Sequence, residues 1–155
     1  MNNSPKVLMI LGSKSDLEAM KGCQTFLEKF EIPYTCEISS AHRNAEKTRL
    51  LAESAESKGY RVIIAAAGMS AALPGVVAAH TTLPVIGVPM TGSALNGIDA
   101  LYSIVQMPAG VPVACVAIGS HGAKNAAILA ARIIALNDSA MTEKLKKYRN
   151  ELAQE

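Results

Sequence analysis

Five near-continuous apolar runs recur along this chain: KVLMIL at 6–11, YTCEIS at 34–39, RVIIAAA at 61–67, PVIGV at 84–88 and VPVACVAI at 111–118. A strand with one wet face alternates polar and apolar residues, and KVLMIL shows no such alternation. Runs of this kind are strands covered on both faces, which is the habit of a parallel sheet. Between them lie segments with helical period. Met20, Cys23, Leu27 and Phe30 recur at 3–4–3 spacing and make one apolar stripe, with Pro33 just beyond its end. A polar helix is expected from Asn44 to Lys58, stopped by Gly59. A shorter one covers 72–80, with Pro74 in its first turn. Further helices are expected at 93–107, with Gly97 as a weak point, and at 122–136, ended by Asn137 and Asp138. A final amphipathic helix carries Met141, Leu145, Tyr148 and Leu152.

Strand alternating with helix, joined by right-handed crossovers, gives a three-layer doubly wound α/β fold of flavodoxin-like size. No linker, low-complexity stretch or repeat divides the 155 residues, so one domain over 1–155 is expected. Such folds bind ligands at the carboxyl ends of their strands. The loops to inspect are therefore 12–16, 39–44, 67–73, 88–93 and 118–123.

Composition narrows the function classes. A net charge of +2 is too small to argue for nucleic acid or an anionic membrane. The basic residues Lys144, Lys146, Lys147 and Arg149 are interleaved with Glu143 and Glu151, as on a solvated helix face. The three cysteines, Cys23, Cys36 and Cys115, lack CxxC spacing, which argues against a disulfide framework or a zinc site and for a reducing compartment. His42, His80 and His121 have no local metal-ligand spacing, and no metal is expected. MNNSPK lacks the basic-then-apolar order of a signal peptide, and no apolar run is long and clean enough to span a bilayer. A soluble, cytoplasmic protein is the expectation. Charged residues make up only 18% of a chain that holds 25 alanines, against about 25% in an ordinary soluble domain. Part of the surface is expected to be covered by other subunits.

Three loops carry candidate chemistry. In GSKSD (12–16), Gly12 permits a tight turn, Ser13 and Ser15 offer hydroxyls, and the following helix start offers N–H groups to an anion. Asp16 either caps that helix or accepts hydrogen bonds from a sugar. The spacing is not that of a P-loop. In SSAHRN (39–44), the imidazole of His42 suits proton transfer near neutral pH, and the planar fork of Arg43 suits phosphate or carboxylate. The same six residues also read as a polar loop that caps the next helix. In AAAGMSAALPG (65–75), small residues around Gly68 let a ligand approach the backbone, and Ser70 adds a hydroxyl; tight helix–sheet packing explains the composition equally well. His80 reads as a partner for a helix C-terminal dipole. His121 stands at a strand exit, from which it can reach a strand-end site.

Six segments in order, GSKSD, SAHR, LPG, LPVIGVP, ALNGIDALYSIVQMPAGVPVA and NAAILAARI, make the chain similar to the PurE family of de novo purine synthesis, from residue 7 to about 136. The resemblance implies a three-layer parallel α/β domain assembled as a homo-octamer. It implies a mutase that moves a carboxylate from N5 to C4 of aminoimidazole ribotide through enclosed CO2, with neither metal nor organic cofactor. By the same resemblance His42 is the catalytic proton shuttle. Ser13, Ser15, Asp16, Ser40, Ala41 and Arg43 would hold the ribotide, with Arg43 and Ser40 on phosphate and Asp16 on ribose. Gly68, Ser70 and Leu73 would receive the base and the carboxylate. One departure stands out: family members commonly have His before LPG, and this chain has Ala72. Two alternatives follow. One is the related class that carboxylates aminoimidazole ribotide directly with CO2; the other is a flavodoxin-like nucleotide-binding protein without catalysis. His121 is a candidate to replace the missing imidazole.

Overall fold

The computed structural model describes residues 6–154; residues 1–5, which hold most of the segment inspected for an export signal, and residue 155 lie outside that description. Strands β1 (Val7–Leu11), β2 (Tyr34–Ile38), β3 (Val62–Ala67), β4 (Val85–Pro89) and β5 (Ala114–Cys115) form one sheet in the order β2-β1-β3-β4-β5. Every pairing is parallel. The helices are α1 (Leu17–Lys29), α2 (Ala45–Ser54), α3 (Leu73–Ala79), α4 (Ile98–Val105), α5 (Gly119–Ala135) and α6 (Ser139–Leu152). This is the expected flavodoxin-like arrangement. Among the described residues, no helix is long and apolar enough to cross a membrane.

The unbroken apolar runs are explained by two separate cores. Val7, Met9 and Leu11 of β1 point to one face, where α1 and α5 supply Met20, Cys23, Leu27 and the small residues Ala123, Ala126, Ala127, Ala130 and Ala131. Leu8 and Ile10 point to the other face, against Ala52 of α2, Leu73 and Val77 of α3, and Ala100 and Ile104 of α4. Because β1 and β3 bury both faces, every position in them is apolar. The alanine stripe of α5 brings it close to α1. Gly122 instead lets α5 pack on the segment that leads into it, since a Cβ there would lie 1.6 Å from the Ala117 carbonyl oxygen.

Four element boundaries differ from the sequence reading by three residues or more. The first is the end of α2, which stops at Ser54 and not at Lys58. The fifth strand keeps only two paired residues of the eight expected. It is an edge strand, and Pro112 within VPVACVAI has no N–H to give a ladder. The helix expected over 93–107 begins at Ile98, because Ser93–Gly97 form turns, with Asn96 and Gly97 both at positive φ. The helix expected from 122 begins at Gly119. His80 does follow α3, but its Nδ1 is 3.4 Å from the Glu53 carboxylate of α2, so it meets a side chain as well as a helix end. All three cysteines are free. Cys23 is buried, and desolvation pushes its thiol up to about 12.

Candidate active site

The chain order of the sheet creates one switch point, between β1 and β3, where successive crossovers leave in opposite directions. The strands end nearly level there: Leu11 pairs with Ile38 and with Ala66, and Ala67 with Pro89. The loops after β1, β2, β3 and β4 consequently emerge together. They enclose a cavity of about 500 Å³, within the usual range for small-molecule sites.

Ser13, Ser15 and Asp16 come from the turn after β1. The Ser13 N–H donates to Asp16 Oδ2 (3.1 Å), and Ser13 Oγ accepts from the Ser15 N–H (3.3 Å) and the Ser15 hydroxyl (2.9 Å). This reciprocal cap stiffens a single 3₁₀ turn, Lys14–Asp16, that leads into α1. Asp16 is half-buried. Loss of water raises its carboxyl above the usual range, and the Ser13 N–H partly offsets that. The two readings of Asp16 therefore meet in one residue, because the capping carboxylate also lines the cavity.

Ser40, Ala41, His42 and Arg43 form the loop between β2 and α2 and line the same cavity. Backbone bonds fold it tightly: the Asn44 N–H donates to the Ser40 carbonyl (2.8 Å) and the Arg43 N–H to Ser40 Oγ (3.3 Å). Asn44 then caps α2 by accepting from the Lys47 N–H at 3.1 Å. The guanidinium of Arg43 reaches across the switch point and donates to the Gly12 carbonyl (3.3 Å), joining this loop to the first. His42 and Arg43 are both exposed to the cavity mouth.

Gly68, Ser70 and Leu73 lie on the opposite wall, with Ala72 at the N-cap of α3. All ten candidate residues thus border one space. Sequence reasoning did not single out Met69, Ala71 or Gly92, which also line it. Met69 and Ala71 adopt positive φ (54° and 26°), a conformation that L-residues rarely hold and that collects at functional sites. The inspection of loops 67–73 and 88–93 pointed to their neighbourhood, but residue type gave no sign of their backbone. His121 is exposed in the first turn of α5 and does not line the cavity, so within this chain it does not replace the imidazole absent at Ala72.

Gly12 and Gly68 are informative by contrast with Gly122. A Cβ on either would meet protein atoms no closer than 3.5 Å, so packing within the chain does not demand glycine. Neither has positive φ. Their missing side chains leave room in the cavity.

Comparison with known proteins gives a consistent result. The AIR carboxylase family model matches residues 6–155. The N5-carboxyaminoimidazole ribonucleotide mutase of Escherichia coli K12 is 49% identical over 148 residues, covering 96% of this chain and 88% of the relative. The enzyme of the same name from Pyrococcus abyssi is 53% identical, over 96% and 84% of the two chains. The crystal structure of Treponema denticola PurE superposes with a TM-score of 0.86 at 34% identity, covering 97% of this chain and 92% of that one.

Proposed function

The chain belongs to the AIR carboxylase family, and from that premise we propose that it is an N5-carboxyaminoimidazole ribonucleotide mutase, with the whole chain acting as one catalytic domain. The observation that carries the reading is the single cavity at the switch point, where the GSKSD turn, the SAHR loop and the Gly68–Leu73 wall converge around one imidazole.

Each lining group has a use in that reaction. Arg43 and Ser40 address the phosphate, where a planar guanidinium fork and a hydroxyl both donate. Asp16 addresses the ribose hydroxyls, being held as an acceptor by its own cap. Ser13, Ser15 and Ala41 complete that end. The space left by Gly68, with Ser70 and Leu73, receives the base and the migrating carboxylate. Protonated His42 donates to N5 as the N–CO2 bond breaks, giving enclosed CO2 and neutral aminoimidazole ribotide. C4 then attacks CO2, and the neutral imidazole takes the C4 proton, which returns His42 to its starting state. One group in two protonation states serves both steps. Exclusion of water keeps CO2 from escaping between them.

The carboxylase alternative is disfavoured by the relatives, which carry the mutase name. The flavin-binding alternative is disfavoured by a cavity with no Phe, Tyr or Trp in its wall to stack on an isoalloxazine ring. We further propose the homo-octamer of the family for this chain. An exposed apolar stripe on α4 supports burial against another copy.

The deciding experiment supplies N5-carboxyaminoimidazole ribonucleotide without bicarbonate, and separately aminoimidazole ribonucleotide with modest bicarbonate. The mutase forms the 4-carboxy product from the first. Product from the second alone would instead establish a carboxylase.

A further inference from the structure

Ser39 and Thr48 are the only serine and threonine buried among the described residues, and they flank the loop that bears His42. Ser39 follows β2 and is tied to β1 through its N–H, which donates to the Leu11 carbonyl (2.9 Å). Thr48 lies in the first turn of α2. Their hydroxyl oxygens are 2.8 Å apart, and Thr48 Oγ1 is 3.2 Å from the Asn44 carbonyl oxygen.

A hydroxyl has one proton to give. With the Thr48 proton on the Asn44 carbonyl, Ser39 must donate to Thr48. The reverse arrangement leaves the Ser39 proton without an acceptor among the described residues, inside the core, which is strongly disfavoured. The chain therefore runs from the Ser39 hydroxyl to the Thr48 hydroxyl to the Asn44 carbonyl. Helix capping does not account for it, because Asn44 already caps α2 with its own side chain. What the chain does is fix the span between the end of β2 and the start of α2, and residues 40–44 arch across that span.

We propose that Ser39 and Thr48 are positioning residues for His42: their buried hydroxyl chain sets where the imidazole stands over the cavity. This rests on the mutase reading. Arg43 has its own tether to the Gly12 carbonyl, so ribotide binding depends less on the chain than proton transfer does.

The test compares Thr48→Val, Thr48→Ser, Ser39→Ala and the double variant Ser39→Ala/Thr48→Val with the wild-type chain. Thr48→Val breaks the chain and strands the Ser39 proton. Its kcat is expected to fall about tenfold or more, as for a catalytic group displaced by a fraction of an ångström to 1 Å, with KM changed less than about threefold. Thr48→Ser keeps the hydroxyl and should stay within about threefold of wild type. Ser39→Ala cuts the same link but strands no proton, because Thr48 still donates to the Asn44 carbonyl. Its kcat should fall about tenfold with a melting temperature above that of Thr48→Val, and an unchanged kcat overturns the proposal. The double variant removes the stranded hydroxyl, so its melting temperature should recover from that of Thr48→Val while its kcat stays low. If kcat recovers together with the melting temperature, the pair is merely structural and the proposal is overturned. An unchanged kcat in Thr48→Val overturns it too. Should Thr48→Val not fold, the double variant takes its place against Thr48→Ser. A wild-type chain that does not convert the N5-carboxy ribotide overturns the function reading itself, which is a separate result.

Discussion

At the scale of single residues, the site joins side chains whose chemistry is legible from their type with backbone states that are not. His42, Arg43 and Asp16 offer by type an acid–base group, an anion fork and an acceptor, though a capping loop reads the same way, and the strand-end rule marks their loops as neighbours. Replacing His42 with Asn should lower kcat by about 10²-fold or more while the ribotide still binds, as measured by steady-state turnover and equilibrium titration. Arg43→Ala should act the other way round, weakening ribotide binding more than it slows the bound complex. Met69 was illegible, because a methionine in an aliphatic stretch reads as core. It is instead 63% exposed, on a left-handed backbone at the cavity wall. That backbone costs an L-residue roughly 1–2 kcal/mol, whereas a glycine loses about 0.5–1 kcal/mol to unfolded-state entropy. Met69→Gly should thus leave the chain equally stable or more stable by up to about 1.5 kcal/mol, read from the urea midpoint.

At the scale of elements, periodicity located all five strands and all six helices, because two buried faces on the sheet and one on each helix leave unambiguous patterns. Boundaries failed where a local backbone condition outweighed pattern. The fifth strand is short because an edge position and Pro112 limit its ladder. The fourth helix starts late because Asn96 and Gly97 take positive φ before it. Asp138, read only as a helix breaker, starts the next helix. Its carboxylate accepts from the Met141 N–H (3.0 Å) and pairs with Lys6 (3.3 Å). The Met141 N–H first, and Lys6 second, hold its carboxyl below the usual 3.8. A lowered folded value means that the ionised form stabilises the fold. That stability is present above the usual value and is lost as pH falls through the lowered one. Asp138→Asn keeps a capping oxygen but not the charge. Its melting temperature should lie below wild type near neutral pH, and the gap should close on acidification below 3.8. Asp138→Ala removes the cap as well and should lower the melting temperature further, including at acid pH.

At the scale of the whole molecule, the low charge content corresponds to a definite place on the surface. Ile98, Tyr102 and Val105 follow one another along α4, with Leu95 in the turn before it, and the four are each between 45% and 66% exposed. Tyr102→Glu should shift the sedimentation profile from the proposed octamer toward smaller species without lowering the helical signal. The topology also governs the order in which the chain becomes complete. One sheet face, built from Val7, Met9, Leu11, Ile64, Ala66, Ile86 and Val88, is closed by α5 as well as by α1. A chain made from its N-terminus exposes half of that face until residues 119–135 have left the ribosome. A single late helix thus finishes a core begun at residue 7. The nascent polypeptide must be shielded from aggregation until that helix emerges.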